Sequence, residues 1–142
     1  MLPDELVTGA TLDHVAVSVA DLDVQIEFYR NGFGFQVEMR ADFPAIDTKT
    51  ALLLLGEGLR VELVSSAGSV PHPVATPIDG ARTQSYFHVA IAVDNLESAL
   101  DRVIAAGATA VSPPAAAMRP GVRYAYLLDP EHNLIELICH DG

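Results

Sequence analysis

The chain has 142 residues, about right for one domain, and half of them are apolar, enough to bury a core. Its 8 basic and 19 acidic residues give a net charge of −11, which excludes nucleic acid and anionic membranes as partners, because both are held by Lys and Arg. The lone Cys139 cannot form an internal disulfide and points to a reducing cytoplasm; the opening MLPDELVTGA has no basic start or apolar stretch of a secretory leader, and the longest apolar run, 51–55, is too short to span a bilayer.

In chain order, residues 14–19 read as a strand, with Val15, Val17 and Val19 alternating with His14, Ala16 and Ser18. Asp21 offers an N-cap, Leu22, Ile26 and Tyr29 recur at helical spacing, and Gly32 and Gly34 stop that helix. Strands follow at 35–40, 51–55 and 60–65. The stretch 66–84 is rich in Pro, Gly, Ser and Thr and reads as a linker. From His88 the pattern begins again. Asp94 and Glu97 resemble a capping box, Leu96, Leu100, Val103 and Ile104 form a buried stripe, and Gly107 is the stop. Strands at 109–112, 123–128 and 134–139 complete it, with an irregular stretch at 113–121. The fold class is therefore α+β: one domain over 1–142, made of two tandem βαβββ modules at 12–65 and 85–140.

The repeat has one register. An offset of 74 residues lays His14 on His88 and Glu62 on Glu136, together with Val15 on Val89 and Leu22 on Leu96. Apolar coincidences come cheaply in an apolar chain; two polar ones at a single offset do not. Strand parity sets each His apart from the valines that pack under the helix, and sets each Glu apart from its apolar neighbours. A carboxylate among apolar residues is costly without a partner, and a divalent metal supplies one. Imidazole with carboxylate suits Ni, Co, Zn, Mn or Fe. His14, Glu62, His88 and Glu136 are the expected ligands of one such ion. His72 in the linker and His132 in the DPEHN turn read as surface residues, His140 lies near the terminus, and Cys139 reads as a small buried hydrophobe.

The strings LDHVAVSVADLDVQIEFY, RVELV, FHVAIAVDNL and DPEHNLIEL resemble the vicinal-oxygen-chelate superfamily: glyoxalase I, methylmalonyl-CoA epimerase, fosfomycin and bleomycin resistance proteins, and extradiol dioxygenases. The resemblance covers 12–138 and implies modules curling into a half-barrel around the metal, with His14, Glu62, His88 and Glu136 on the four ligand positions. Bacterial glyoxalase I holds glutathione with an Arg and an Asn where this chain has Ser18 and Ser66, a departure that counts against glutathione.

Four protein ligands on a six-coordinate ion leave two positions, which suits a small substrate with vicinal oxygens. The expected chemistry is proton transfer next to a carbonyl, by an isomerase, epimerase or lyase, through an enediolate that the metal stabilises. Glu62 or Glu136 is the candidate base. An extradiol-type dioxygenase is the alternative reading, and a bleomycin-resistance-like binding protein the third. A homodimer is expected, each site lying within one chain or shared between two. If residue 128 pairs with 134, Tyr126 falls opposite Glu136; Tyr126 and Tyr124 then line the substrate pocket or simply pack the barrel.

Overall fold

The computed structural model describes residues 8–72, 74 and 76–141, so most of the N-terminal stretch in which no leader was seen lies outside the described residues. The first module runs β1 (Val15–Ser18), α1 (Leu22–Phe33), β2 (Gln36–Phe43), β3 (Thr48–Leu55) and β4 (Leu59–Ser66). Within the stretch read as a linker lies a short helix, α2 (Pro77–Arg82). The second module runs β5 (Val89–Ala92), α3 (Leu96–Ala105), β6 (Thr109–Ala110), β7 (Ala115–Ala116), β8 (Val122–Leu128) and β9 (Leu134–His140). The sheets repeat one order, β1-β4-β3-β2 and β5-β9-β8-β6, with β7 beside β8. In each, the strand before the helix is an edge, parallel to the last strand of its module.

Side-chain parity separates core from open face. Val61, Leu63, Ala51 and Leu53 are fully buried in the first sheet, as are Ile135, Leu137, Ala125 and Leu127 in the second. These positions face α1 and α3 and join one continuous core across both modules. Glu62, Leu52, Glu136 and Tyr126 alternate with them on the opposite, half-buried side. No helix among the described residues is long and apolar enough to cross a membrane.

The helix ends follow local chemistry, with three departures from the expected pattern. Asp21 caps α1 as expected, its Oδ1 accepting from the Val24 amide at 3.1 Å. Gly34, at φ 89°, terminates it and donates to the Arg30 carbonyl. Gly32 is no stop: it lies inside α1, where a Cβ would stand 3.4 Å from Val103 Cγ1 and 3.5 Å from Ala106 Cβ. It is the point at which α1 and α3 approach, and the Arg102 guanidinium donates across it to the Asn31 carbonyl. The cap of α3 is Asn95 rather than Asp94, because it is the Asn95 side chain that accepts from the Ser98 amide at 2.9 Å. Ile104, expected in the buried stripe, is exposed, since α3 packs through Leu96, Ala99, Leu100 and Val103. Strand β2 runs past residue 40 to Phe43, with a bulge between Val37 and Met39.

One core residue is out of keeping with its place. Gln25 on α1 is fully buried, and neither its Nε2 nor its Oε1 meets a hydrogen-bond partner among the described residues. The repeat puts Ala99 at the same place in α3. A buried amide without partners costs about 1–3 kcal/mol. Gln25→Met keeps length and helix propensity, so it should raise the urea midpoint at unchanged m-value. A lowered midpoint would mean that the amide is satisfied in solution.

Candidate functional site

Two equivalent strand pairings position the four polar residues of the repeat. In the first module β1 lies beside β4 with Ala16 opposite Glu62, and His14 sits just ahead of β1 on the same face. In the second, Ala90 lies opposite Glu136, with His88 just ahead of β5. Small Ala16 and Ala90 leave the space that imidazole and carboxylate share. His14 Nε2 is 3.9 Å from Glu62 Oε2, and His88 Nε2 is 3.8 Å from Glu136 Oε2. Two ligand atoms each about 2.1 Å from one ion stand roughly 3.0–4.2 Å apart, depending on the angle they subtend. Adjacent octahedral or tetrahedral positions set them roughly 3.0 or 3.4 Å apart, so each pair stands wider than that and its side chains would close by roughly 0.4–0.9 Å to share one ion.

The halves are alike in geometry but not in surroundings. His14 Nδ1 is 2.7 Å from Asp13 Oδ2, and this hydrogen bond, before any other cause, holds the exposed Asp13 carboxyl below its ordinary range. A carboxylate on Nδ1 leaves Nε2 as the free lone pair, turned to Glu62, the arrangement that orients metal-ligating histidines. His88 has aromatic neighbours instead. Phe87 and Tyr126 meet its ring edge to face, with centroids at 4.6 and 5.4 Å. The second pair is also the more enclosed: side-chain exposures are 24% and 15% for His88 and Glu136, against 37% and 33% for His14 and Glu62.

The register places Tyr126 opposite Glu136 and Leu52 opposite Glu62. Burial first, and then the Glu136 carboxylate that it faces, push the Tyr126 phenol well above its ordinary value. It stays protonated and can donate. Tyr124, two residues along the same face, meets Tyr126 edge to face at 5.6 Å.

The described residues of one chain do not bring the two pairs together: no three His, Cys, Asp or Glu side chains among them gather as ligands of one ion. A cavity of about 1140 Å³ opens between the edges of β1 and β5, bordered by His14, Ser18, Tyr86, His88 and His132. Glu62 and Glu136 do not border it.

The sequence pattern did not reveal one of the polar contacts that join the modules. The turn from Asp129 to Asn133 is built on the buried Asp129 carboxylate, whose Oδ1 accepts from the Glu131 and Asn133 amides, both at 2.9 Å. Its Oδ2 accepts from Asn133 Nδ2 at 2.8 Å and from the buried Tyr29 hydroxyl of α1 at 3.3 Å. Glu131 then crosses to the first module, where its carboxylate accepts from the Ala20 and Asp21 amides at the start of α1. The Asp-Pro and Asn of DPEHN signalled a turn; nothing local signalled what it would hold.

The sequence model of the Glyoxalase/Bleomycin resistance protein/Dioxygenase superfamily matches residues 11–137. The chain is 28% identical over 128 residues to a probable lactoylglutathione lyase of Vibrio cholerae, covering 88% of this chain and 87% of that one. It is 30% identical over 103 residues to the human mitochondrial methylmalonyl-CoA epimerase, covering 69% of this chain and 57% of the epimerase. Among solved structures, a glyoxalase family protein from Bacillus cereus superimposes with a TM-score of 0.77 at 21% identity, over 96% of this chain and all of the other. The trypanothione-dependent glyoxalase I of Leishmania major gives 0.73 at 21% identity, over 93% and 88%. Two modules of one topology, an offset that repeats His and Glu together, and a family match across nearly the whole length place this chain in the Glyoxalase/Bleomycin resistance protein/Dioxygenase superfamily.

Proposed function

We propose that the protein is a divalent-metal-dependent isomerase, epimerase or lyase acting on a small substrate with vicinal oxygens. The observation that carries this reading is the twice-repeated His–Glu pair, at 3.9 and 3.8 Å in matching registers. Within one chain each pair supplies half of a ligand set. Two chains related by a twofold axis complete two sites, each taking His14 and Glu62 from one protomer and His88 and Glu136 from its partner. Bound there, a divalent ion would act as a Lewis acid on the substrate oxygens.

The side chains divide the remaining work. His14, oriented by Asp13, and the more exposed Glu62 would hold the ion. Glu136 lies in the more enclosed half, opposite Tyr126. It takes the proton from the carbon next to the carbonyl, and the Tyr126 hydroxyl donates a hydrogen bond to a substrate oxygen. The half-buried faces around both pairs limit access of water.

Elemental analysis of the purified protein should find about one divalent ion per chain, two per dimer. Sedimentation at micromolar concentration should show a dimer. A metal-free species of 15 kDa alone, inert with α-hydroxyketones, thiohemiacetals and acyl-CoA esters, would sink this reading; oxygen uptake with catechols would replace it by a dioxygenase.

A further inference from the structure

We propose that the open face of the second module takes an uncharged, ring-bearing α-hydroxyketone rather than a substrate carried on glutathione or coenzyme A. This rests on the metal-site reading and narrows it to a substrate class.

Rings gather at this one place. The chain has four Tyr, five Phe and no Trp. Phe28, Tyr29, Phe33 and Phe35 pack against one another in the core. Three of the remaining five form a continuous row with the imidazole: Phe87 to His88 at 4.6 Å, His88 to Tyr126 at 5.4 Å, Tyr126 to Tyr124 at 5.6 Å. The equivalent positions of the first module hold Asp13, His14, Leu52 and Thr50, so the row belongs to one half only. Tyr124 and Tyr126 are half-buried and lie on the face of Glu136. A planar group beside that carboxylate would find ring edges and faces to pack on.

Charge argues the other half. Four basic residues lie on strands: Arg40, Lys49, Arg60 and Arg123. Register sets Arg40 opposite Ala51, Lys49 opposite Ser65 and Arg123 opposite Cys139, away from the His–Glu face. Arg40 is tied to Asp23, and Arg123 to Glu97 and Asp141. Arg60 alone shares the face of Glu62, and Glu38 grips it with two hydrogen bonds, at 2.8 and 2.9 Å. Among the described residues, the strands of the open faces therefore present no unpaired Arg or Lys for the carboxylates of glutathione or the phosphates of coenzyme A, which are bound by free Arg and Lys. Arg82 and Arg119 lie outside the sheets, on α2 and in the turn before β8.

The test uses the whole chain loaded with nickel. Binding by calorimetry and exchange of the carbon-bound proton for deuterium are measured with 2-hydroxyacetophenone, hydroxyacetone, the methylglyoxal–glutathione thiohemiacetal and methylmalonyl-CoA. The aryl ketone should bind at least tenfold tighter than hydroxyacetone. Tyr124→Leu should remove that advantage and Tyr124→Phe, which keeps the ring, should retain it. Equal binding of the two ketones, or an advantage indifferent to Tyr124→Leu, would overturn the proposal, as would higher kcat/KM on either thiol-carried substrate. Tight ring binding with no exchange from any probe would uphold the ligand class while refuting the proton-transfer chemistry. Exchange confined to the glutathione or coenzyme A probe would do the reverse.

Discussion

Glu136→Gln should lower kcat/KM on the order of a thousandfold, the size of a general base's contribution. The change keeps the shape of the side chain and removes both its charge and its capacity to accept a proton. Metal content separates the two roles. If Glu136 is the base, the variant keeps most of its ion and loses kcat; if it is a ligand only, the ion is lost and excess metal restores part of the rate. Glu62→Gln is the matched comparison. Glu62 is about twice as exposed as Glu136, at 33% against 15%, and no tyrosine stands opposite it. Its replacement should therefore weaken metal binding more than it slows the loaded enzyme. Wild-type turnover and wild-type metal content in Glu136→Gln would refute both roles for that residue.

The largest loss of stability should come from Asp129→Ala, at about 3 kcal/mol or more. Asp129 is 1% exposed and accepts from two backbone amides, the Asn133 side chain and the Tyr29 hydroxyl. Removing it strands donors in the interior, above all the hydroxyl of Tyr29, itself 1% exposed. Burial, and after it the Asp129 carboxylate, push the Tyr29 phenol well above its ordinary value, so it is a donor across the physiological range. Tyr29→Phe takes away donor and demand together and should cost only about 1 kcal/mol. Urea unfolding of the two variants checks the order. Asp129→Ala costing no more than Tyr29→Phe would mean that the turn stands without its carboxylate.

What the residues disclosed and what they hid divide along a physical line. Short-range periodicity disclosed the elements. Alternation at Val15, Val17 and Val19 and at Ile135 and Leu137 marks strands with one buried face, and parity then sets each Glu on the other side. The turn at Asp129-Pro130 carried the pairing of Leu128 with Leu134, and with it the register that puts Tyr126 opposite Glu136. Errors fell where tertiary contact overrides a local rule. Gly32 reads as a helix stop by composition, yet it is where α1 and α3 touch. Ile104 fits the stripe by spacing, yet no element of the fold covers it. The role of Asp13 depends on the ring orientation of the next residue, which no spacing reports. The repeat made the four side chains legible as a candidate ligand set, not where the two pairs stand relative to each other. That placement is decided by the angle between modules, and that angle is set by long-range contacts such as those of Glu131.

That carboxylate has a consequence for a protein with paired sites. Glu131 leads into β9, which carries Glu136, and holds the amides of Ala20 and Asp21, directly after β1 and its His14. In the proposed swapped dimer Glu136 and His14 of the same chain would serve different centres. There, a shift of β9 as one centre fills would reach the histidine strand of the other through Glu131, beside the core that also joins the modules. Such centres would share a mechanical linkage, a physical path by which occupancy of one alters the affinity of its twin, and metal titration of the proposed dimer should then give a Hill coefficient different from one.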